Sequence, residues 1–149
     1  MSESDSSLKE YFTGEHRRCD ELWAEIEAGA ESEGGQDVAT RFERFAAALG
    51  RHLRMEEEVL FPAFEEATGM HDAGPTFVMR SEHEQMRGLL EQMRDAASEV
   101  DELVDLGDTL LMLIQQHNLK EENMLYPMAE QALAAKWADI REKLARYGE

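Results

Sequence analysis

The sequence predicts an all-α fold, an up-down-up-down four-helix bundle with a C-terminal helical extension. Three observations predict it. Apolar residues step by three or four along four segments, two of whose three breaks are marked by glycine or proline, the period of helices with one face turned to a core. No stretch of useful length alternates as a strand would. One phrase is also written twice, His52 to Pro62 and His117 to Pro127, 65 residues apart, each copy reading H-x-x-x-E-E-x-x-L-[FY]-P. Glu15-His16 precedes the first copy by about the interval at which Glu82-His83 precedes the second, so the chain reads as two similar helical hairpins.

The elements follow in order. After a frayed start over residues 1–7, the first helix runs from Leu8 to Ala28. Gly29 to Gln36, with Gly34-Gly35, forms the connection. The second helix runs from Asp37 to Ala67 and stops before Gly69. Gly74-Pro75 opens the third, with Pro75 in the first turn where its missing N–H removes no helix bond, and this helix continues to Ala97. Ser98 with Asp101 is a weak capping box for the fourth, which reaches Met128. A last helical segment, Ala129 to Tyr147, ends before Gly148; its Trp137 and Ile140 either cap the bundle or form a dimer contact. Pro62 and Pro127 are expected to kink or divide the second and fourth helices. Residues 1–149 are expected to form a single domain.

Composition excludes several classes of function. The 33 acidic against 15 basic residues leave a net charge of -18, which repels nucleic acid and anionic membranes and gives well-solvated outer faces. Apolar residues still make up 42% of the chain, enough for a proper core. No apolar run approaches the ~20 residues that span a bilayer, and Met1 to Ser7 is polar and acidic rather than signal-like. The single Cys19 excludes an internal disulfide and suits a reducing cytoplasm, the expected location.

The inward stripes carry the chemistry. They are Phe12, His16, Cys19, Trp23 and Ile26 on the first helix, and Phe45, Leu49, His52, Glu56, Val59 and Ala63 on the second. The third gives Thr76, Met79, His83, Met86, Leu90 and Met93; the fourth gives Leu106, Leu110, Leu113, His117, Glu121, Met124 and Met128. Each stripe is interrupted midway by His, or by His and Glu one turn apart. A lone core histidine is usually structural, and one His-x-x-x-Glu is common on exposed helices. Six such residues on four apolar stripes, related by a repeat, are a different matter. Two buried carboxylates need compensation, and four imidazoles with two carboxylates suit a transition-metal site, two ions bridged by Glu56 and Glu121.

At these residues the chain resembles the hemerythrin-like family, often called the HHE cation-binding domain, through the pattern H…HxxxE…H…HxxxE over most of the four predicted helices. The resemblance implies a non-haem di-iron centre with His16 and His52 on one iron, His83 and His117 on the other, and Glu56 and Glu121 bridging. Oxygen-carrying hemerythrins have a further histidine one turn before the His83 position, where this chain has Met79, and a longer His-to-Asp spacing where it has His117-x-x-x-Glu121. Stable oxygen carriage is therefore not implied. The arrangement is similar to two other branches, iron-centre repair proteins and bacterial proteins linked to peroxide or nitric oxide. The repair branch adds an N-terminal domain with a cysteine pair, for which this chain, with Cys19 alone, is expected to have no room.

The remaining residues are expected to be ordinary. Met79 packs in the core; Glu57 and Glu82 lie a quarter-turn or more off the ligand stripe and are expected in solvent. Cys19 is a small buried hydrophobe and His71 a surface histidine. Tyr11 and Tyr126 are available as outer phenols, although their helix phases do not require it. The expected function is that of a di-iron protein that binds or turns over O2, NO or peroxide. The alternatives are a non-catalytic, metal-responsive interaction module and, last, a structural bundle with an incidental zinc.

Overall fold

The computed structural model describes residues 6–32, 37–71 and 73–147. Helix α1 (Leu8–Glu31) opens on a reciprocal cap: the Ser7 hydroxyl accepts from the Glu10 N–H, and the Glu10 carboxylate accepts from the Ser7 N–H, both at 3.1 Å. Ser7 is therefore held rather than frayed, and residues 1–5 of the expected frayed start lie outside the described residues. The helix runs three residues beyond Ala28, taking in Gly29; the Gly34-Gly35 connection lies outside the described residues. Helix α2 (Val38–Met55) is followed by a widened turn (Glu56–Leu60) and then α3 (Phe61–Thr68), which ends at Gly69 in the left-handed region, φ 77°. Helix α4 (Pro75–Asp95) leads to α5 (Val100–Lys120), a second widened turn (Glu121–Leu125) and α6 (Tyr126–Leu133). Helix α7 (Trp137–Leu144) lies between two short 3₁₀ turns. No strand occurs among the described residues.

With each widened turn counted into its helix, the four long rods are α1, α2–α3, α4 and α5–α6, with α1 along α2 and α4 along α5. This is the expected four-helix bundle. The Ser98–Asp101 cap is not formed: α5 starts at Val100, with Glu99 in the capping position and no side-chain bond. The Ala97 and Glu99 N–H groups turn back onto the Arg94 and Ala96 carbonyls, which places Ser98 inside the turn instead of at its exit.

The prolines divide the helices in a specific way. Pro62 and Pro127 have no N–H and crowd the carbonyl four residues back. Immediately upstream, the Phe61 and Tyr126 N–H groups bond to Glu56 O and Glu121 O, five residues back. Each turn thus holds one extra residue, and everything downstream is rotated by about 100°. The expected inward residues Val59, Ala63, Met124 and Met128 are displaced for this reason. Val59 and Ala63 are half-buried, and Met124 and Met128 are exposed. Leu60, Phe61, Phe64, Leu125, Tyr126 and Ala129 fill the core instead.

A second phase error affects α5, where Leu106 and Leu113 are half-buried and the inward line is Leu103, Gly107, Leu110, Ile114 and His117. Gly107 has no side chain to mark its face; the indole of Trp23 occupies the space above it. The α1 and α4 stripes are buried as expected.

The apolar core is in two parts, one around Trp23, Phe42, Phe45, Met86 and Leu110, the other around Phe12, Phe61, Phe64, Met79 and Leu125. The second is closed by Ile140 and Leu144 of α7, and the Trp137 indole N–H donates to Ser6 O at 2.9 Å, so the C-terminal segment caps the bundle. Glu65 on α3, 8% exposed, accepts from the Thr76 hydroxyl (2.7 Å) and from two nitrogens of Arg80 (3.1 and 3.2 Å), tying α3 to α4.

A Cβ on Gly107 would lie 1.8 Å from Cη2 of Trp23. Gly107→Ala is expected to lose about 1–3 kcal/mol to overpacking, more than the helix propensity gained. Gly88, mid-helix and with open space around it, is the control: Gly88→Ala is expected to gain about 0.5–1 kcal/mol. Urea unfolding of both variants checks the pair, and a Gly107→Ala protein as stable as the parent would contradict this packing.

Candidate metal centre

The two halves of the core are separated by a layer of polar side chains. His16 comes from α1, His52 from α2, Glu56 from the first widened turn, His83 from α4, His117 from α5 and Glu121 from the second widened turn. All six are at most 4% exposed. They fall into two overlapping groups, Glu56, His83, His117 and Glu121 on one side and His16, His52 and Glu121 on the other. In each group, one donor atom from every residue lies within 4.8 Å of the rest. The imidazole centroids of His16 and His52 are 4.9 Å apart, and those of His83 and His117 are 5.0 Å apart. Glu121 belongs to both groups. Glu56 Oε1 lies 3.1 Å from His83 Nε2 and 3.4 Å from His52 Nε2.

Tyr126 completes the layer, and its helix phase gave no sign of this. Five residues after Glu121, it would point about 140° away on a regular helix. The widened turn brings it back over the glutamate. Its O–H reaches Glu56 Oε2 (2.7 Å) and Glu121 Oε1 (2.9 Å), and its oxygen lies 3.1 Å from His16 Nε2. Burial, together with the two carboxylate charges, pushes the phenol well above its usual range. Tyr11 lies on the outer side against Trp137, and Met79 packs in the capped half of the core. His71 is exposed. Cys19 is buried, and burial first, then the Glu15 and Asp20 charges, raises its thiol to about 12.

Three carboxylates orient the imidazoles from behind. His16 Nδ1–H donates to Glu122 (2.7 Å), His83 Nδ1–H to Glu57 (2.8 Å) and His117 Nδ1–H to Glu82 (2.8 Å). Arg87 grips Glu57 with two bonds of 2.7 Å, and Lys120 pairs with Glu82. The expectation that Glu57 and Glu82 are solvated surface is therefore corrected. A residue a quarter-turn off the inward stripe faces the neighbouring helix, and the histidine ring edge is there to meet it. The signal was present in the sequence: the Glu-Glu doublet and the Glu-His doublet are each written twice. Such partners fix the ring and aim Nε2 inward.

The electrostatics of the metal-free layer are strongly coupled. Burial alone would lower the His16 and His83 imidazoles, but the surrounding carboxylates outweigh it and lift both to about 9. His52 is dominated by burial and falls to about 3. Burial would raise Glu121, yet His117, Glu56 and His16 hold it well below the usual carboxylate range. Glu57, held by His83 and Arg87 against its own burial, sits at about 2.

Even so, the layer is not satisfied internally. Both ring nitrogens of His52, the Nε2 atoms of His83 and His117, Glu56 Oε1 and Glu121 Oε2 are buried without a hydrogen-bond partner. Buried polar atoms are seldom left so. The orphaned atoms are all imidazole nitrogen or carboxylate oxygen, and every one belongs to a residue that offers a donor atom to one of the two convergent groups. That donor set fits a transition-metal cation.

A four-helix bundle with buried histidine and glutamate donors from every long rod is the architecture of metal-carboxylate bundle proteins. The chain belongs to the hemerythrin family, described as the Hemerythrin HHE cation binding domain, whose family model matches residues 7–129. It is similar to the iron-sulfur cluster repair protein YtfE of Escherichia coli O1:K1 / APEC, 30% identical over 91 residues, and to that of Enterobacter sp. (strain 638), 31% identical over 91 residues. Each alignment covers 54% of this chain and 41% of the relative. No solved structure matches the chain. Among the described residues, no helix is long and apolar enough to cross a membrane.

The direction of pH dependence follows. His16 and His83 have folded values of about 9 against 6.5 when free. Their contribution to metal-free stability is full below pH 6.5 and is lost as pH rises through 9. A cation needs the same imidazoles neutral, so its affinity should climb across the same window, with release of protons. Urea midpoints of the metal-free protein and Co²⁺ affinities at pH 6.5, 7.5 and 9 should therefore move in opposite directions. An affinity that stays level over that range would contradict the assignment of His16 and His83.

Proposed function

We propose that this chain is a non-haem di-iron protein that binds or turns over a small oxidant or diatomic molecule, O2, NO or peroxide. The observation that carries the reading is the convergence of buried imidazole and carboxylate donors from all four rods, with unpartnered atoms on three of them. His16 and His52 would hold one ion, His83 and His117 the other, with Glu56 and Glu121 between them. Bound there, a pair of irons supplies reversible redox chemistry and a site of attachment for the small molecule.

This chain's own residues set the conditions for that chemistry. Glu57, Glu82 and Glu122 fix three of the four imidazoles. Tyr126 holds Glu56 and Glu121 side by side and has a proton to offer at its phenol oxygen. A cavity of about 10 Å³ touches His16, His52 and His117 and is otherwise lined mainly by Cys19, Leu49, Leu53, Met86 and Ile114. It has room for about one water-sized molecule, and its apolar walls exclude bulk water. With Met79 in the apolar core where oxygen carriers place a histidine, the proposal is turnover or sensing rather than stable oxygen carriage. The single buried cysteine supports a cytoplasmic setting, and residues 1–149 are read as one domain. The relatives' name speaks of cluster repair, but only 41% of each relative is aligned, so the proposal is confined to the metal centre.

The orphaned donors also support a second reading, a metal-responsive module without turnover, since a cation filling them would stabilise the bundle. Turnover of peroxide or NO by the loaded protein separates the two.

Protein purified without added metal is expected to carry about two irons per chain, with a near-ultraviolet absorption that bleaches on dithionite. Glu56→Gln and Glu121→Gln should each carry fewer than two. One zinc per chain, or a fully folded bundle that takes up no metal, would sink the di-iron reading.

A further inference from the structure

The internal repeat allows the two halves of the centre to be compared residue by residue, and at one place they differ. Glu82 precedes His83 and accepts from the Nδ1–H of His117 at 2.8 Å. Its counterpart Glu15 precedes His16 and, by the same relation, is the carboxylate that would brace His52. Glu15 instead takes two bonds from Nη2 of Arg51, at 3.0 and 3.1 Å. The second copy has Gln116 in the place of Arg51. His52 Nδ1 is left buried without a hydrogen-bond partner, while the other three ligand imidazoles each rest on a carboxylate. The inner face differs as well. His83 Nε2 lies 3.1 Å from Glu56 Oε1 and His117 Nε2 lies 3.2 Å from Glu121 Oε1, whereas His16 Nε2 meets both Glu121, at 3.0 Å, and the Tyr126 oxygen, at 3.1 Å.

Building on the metal-centre reading above, we infer that the two metal positions are unequal. The His83–His117 position fills first and holds its ion. The His16–His52 position fills last and releases first, and Arg51 is the positioning residue that makes it so by withdrawing Glu15 from His52. The first position has four convergent donors, Glu56, His83, His117 and Glu121, and both of its imidazoles are braced; the second has three, with one unbraced. Removing such a brace typically costs about 10–100-fold in metal affinity, so the two binding steps should be separated by about that factor. The chain then has a stable one-metal state and an exchangeable second ion.

The test is titration of the metal-free full chain with Co²⁺ against a competing chelator, following visible absorption and bound metal. The expected result is two ions in two steps about 10–100-fold apart. His52→Ala should lose the weaker step and keep the tighter one, and His117→Ala the reverse. Glu82→Gln should weaken the tighter step about 10-fold, while Glu15→Gln leaves both steps in place. Arg51→Gln, which installs the residue found at position 116, should tighten the weaker step and narrow the gap. Two ions of equal affinity in the parent chain, or equal effects of Glu15→Gln and Glu82→Gln, would overturn the inference; so would an Arg51→Gln chain that is folded by circular dichroism yet keeps its gap. Should Arg51→Gln not fold, the Glu15 and Glu82 pair decides. A folded parent chain that takes up no Co²⁺ would instead defeat the metal reading itself.

Discussion

Two carboxylates, Glu56 and Glu121, lie fully buried at the middle of a helical bundle, and most of the surrounding polar structure answers to them. An ionised carboxylate taken out of water is costly unless it is matched by charge and hydrogen bonds. Here the matching groups are four imidazoles and one phenol, drawn from every long rod. The layer therefore couples the rods to one another through their most expensive groups. Even then the account does not close within the protein, because several donor atoms remain without partners. Those atoms are what a cation would take up, and they link the stability of the bundle to its occupancy.

The widened turns are the backbone's part in this arrangement. Each begins at one of the two buried glutamates and ends just before a proline. The proline cannot donate, the ladder upstream opens by one residue, and the downstream face rotates. This brings Phe61 and Tyr126 inward beside the glutamates rather than away from them. Without the rotation the Tyr126 hydroxyl would leave the layer, and Met124 and Met128 would take the core positions now held by Leu125 and Ala129. Local backbone chemistry here decides which side chain meets the site.

Orientation comes from the outer carboxylates, and the repeat makes their logic visible. Glu57, from the first copy, holds His83 next to the second; Glu122, from the second copy, holds His16 of the first. The hairpins thus brace each other crosswise. Glu82 adds a third support within its own half. The missing fourth support, at His52, comes from one charged residue, Arg51, placed where the other half has a neutral amide. Near-symmetric sequences can hold unequal sites for this reason: a single competing cation redirects one carboxylate while the ligands themselves stay the same.

The sequence by itself determined the fold class, the four rods, the α1 and α4 faces and all six inward His and Glu residues. These depend on period and repetition, which are local properties written into the order of residues. It did not determine the inward faces after Pro62 and Pro127, because their phase depends on how a proline opens the turn before it. The α5 face was misread because Gly107 marks its place only through the Trp23 ring that fills it. Nor could it decide that Glu57, Glu82 and Tyr126 belong to the centre. Those assignments depend on which neighbouring helix each residue meets. That is settled when the rods pack, since a hydrogen bond between helices needs both ends brought within about 3 Å.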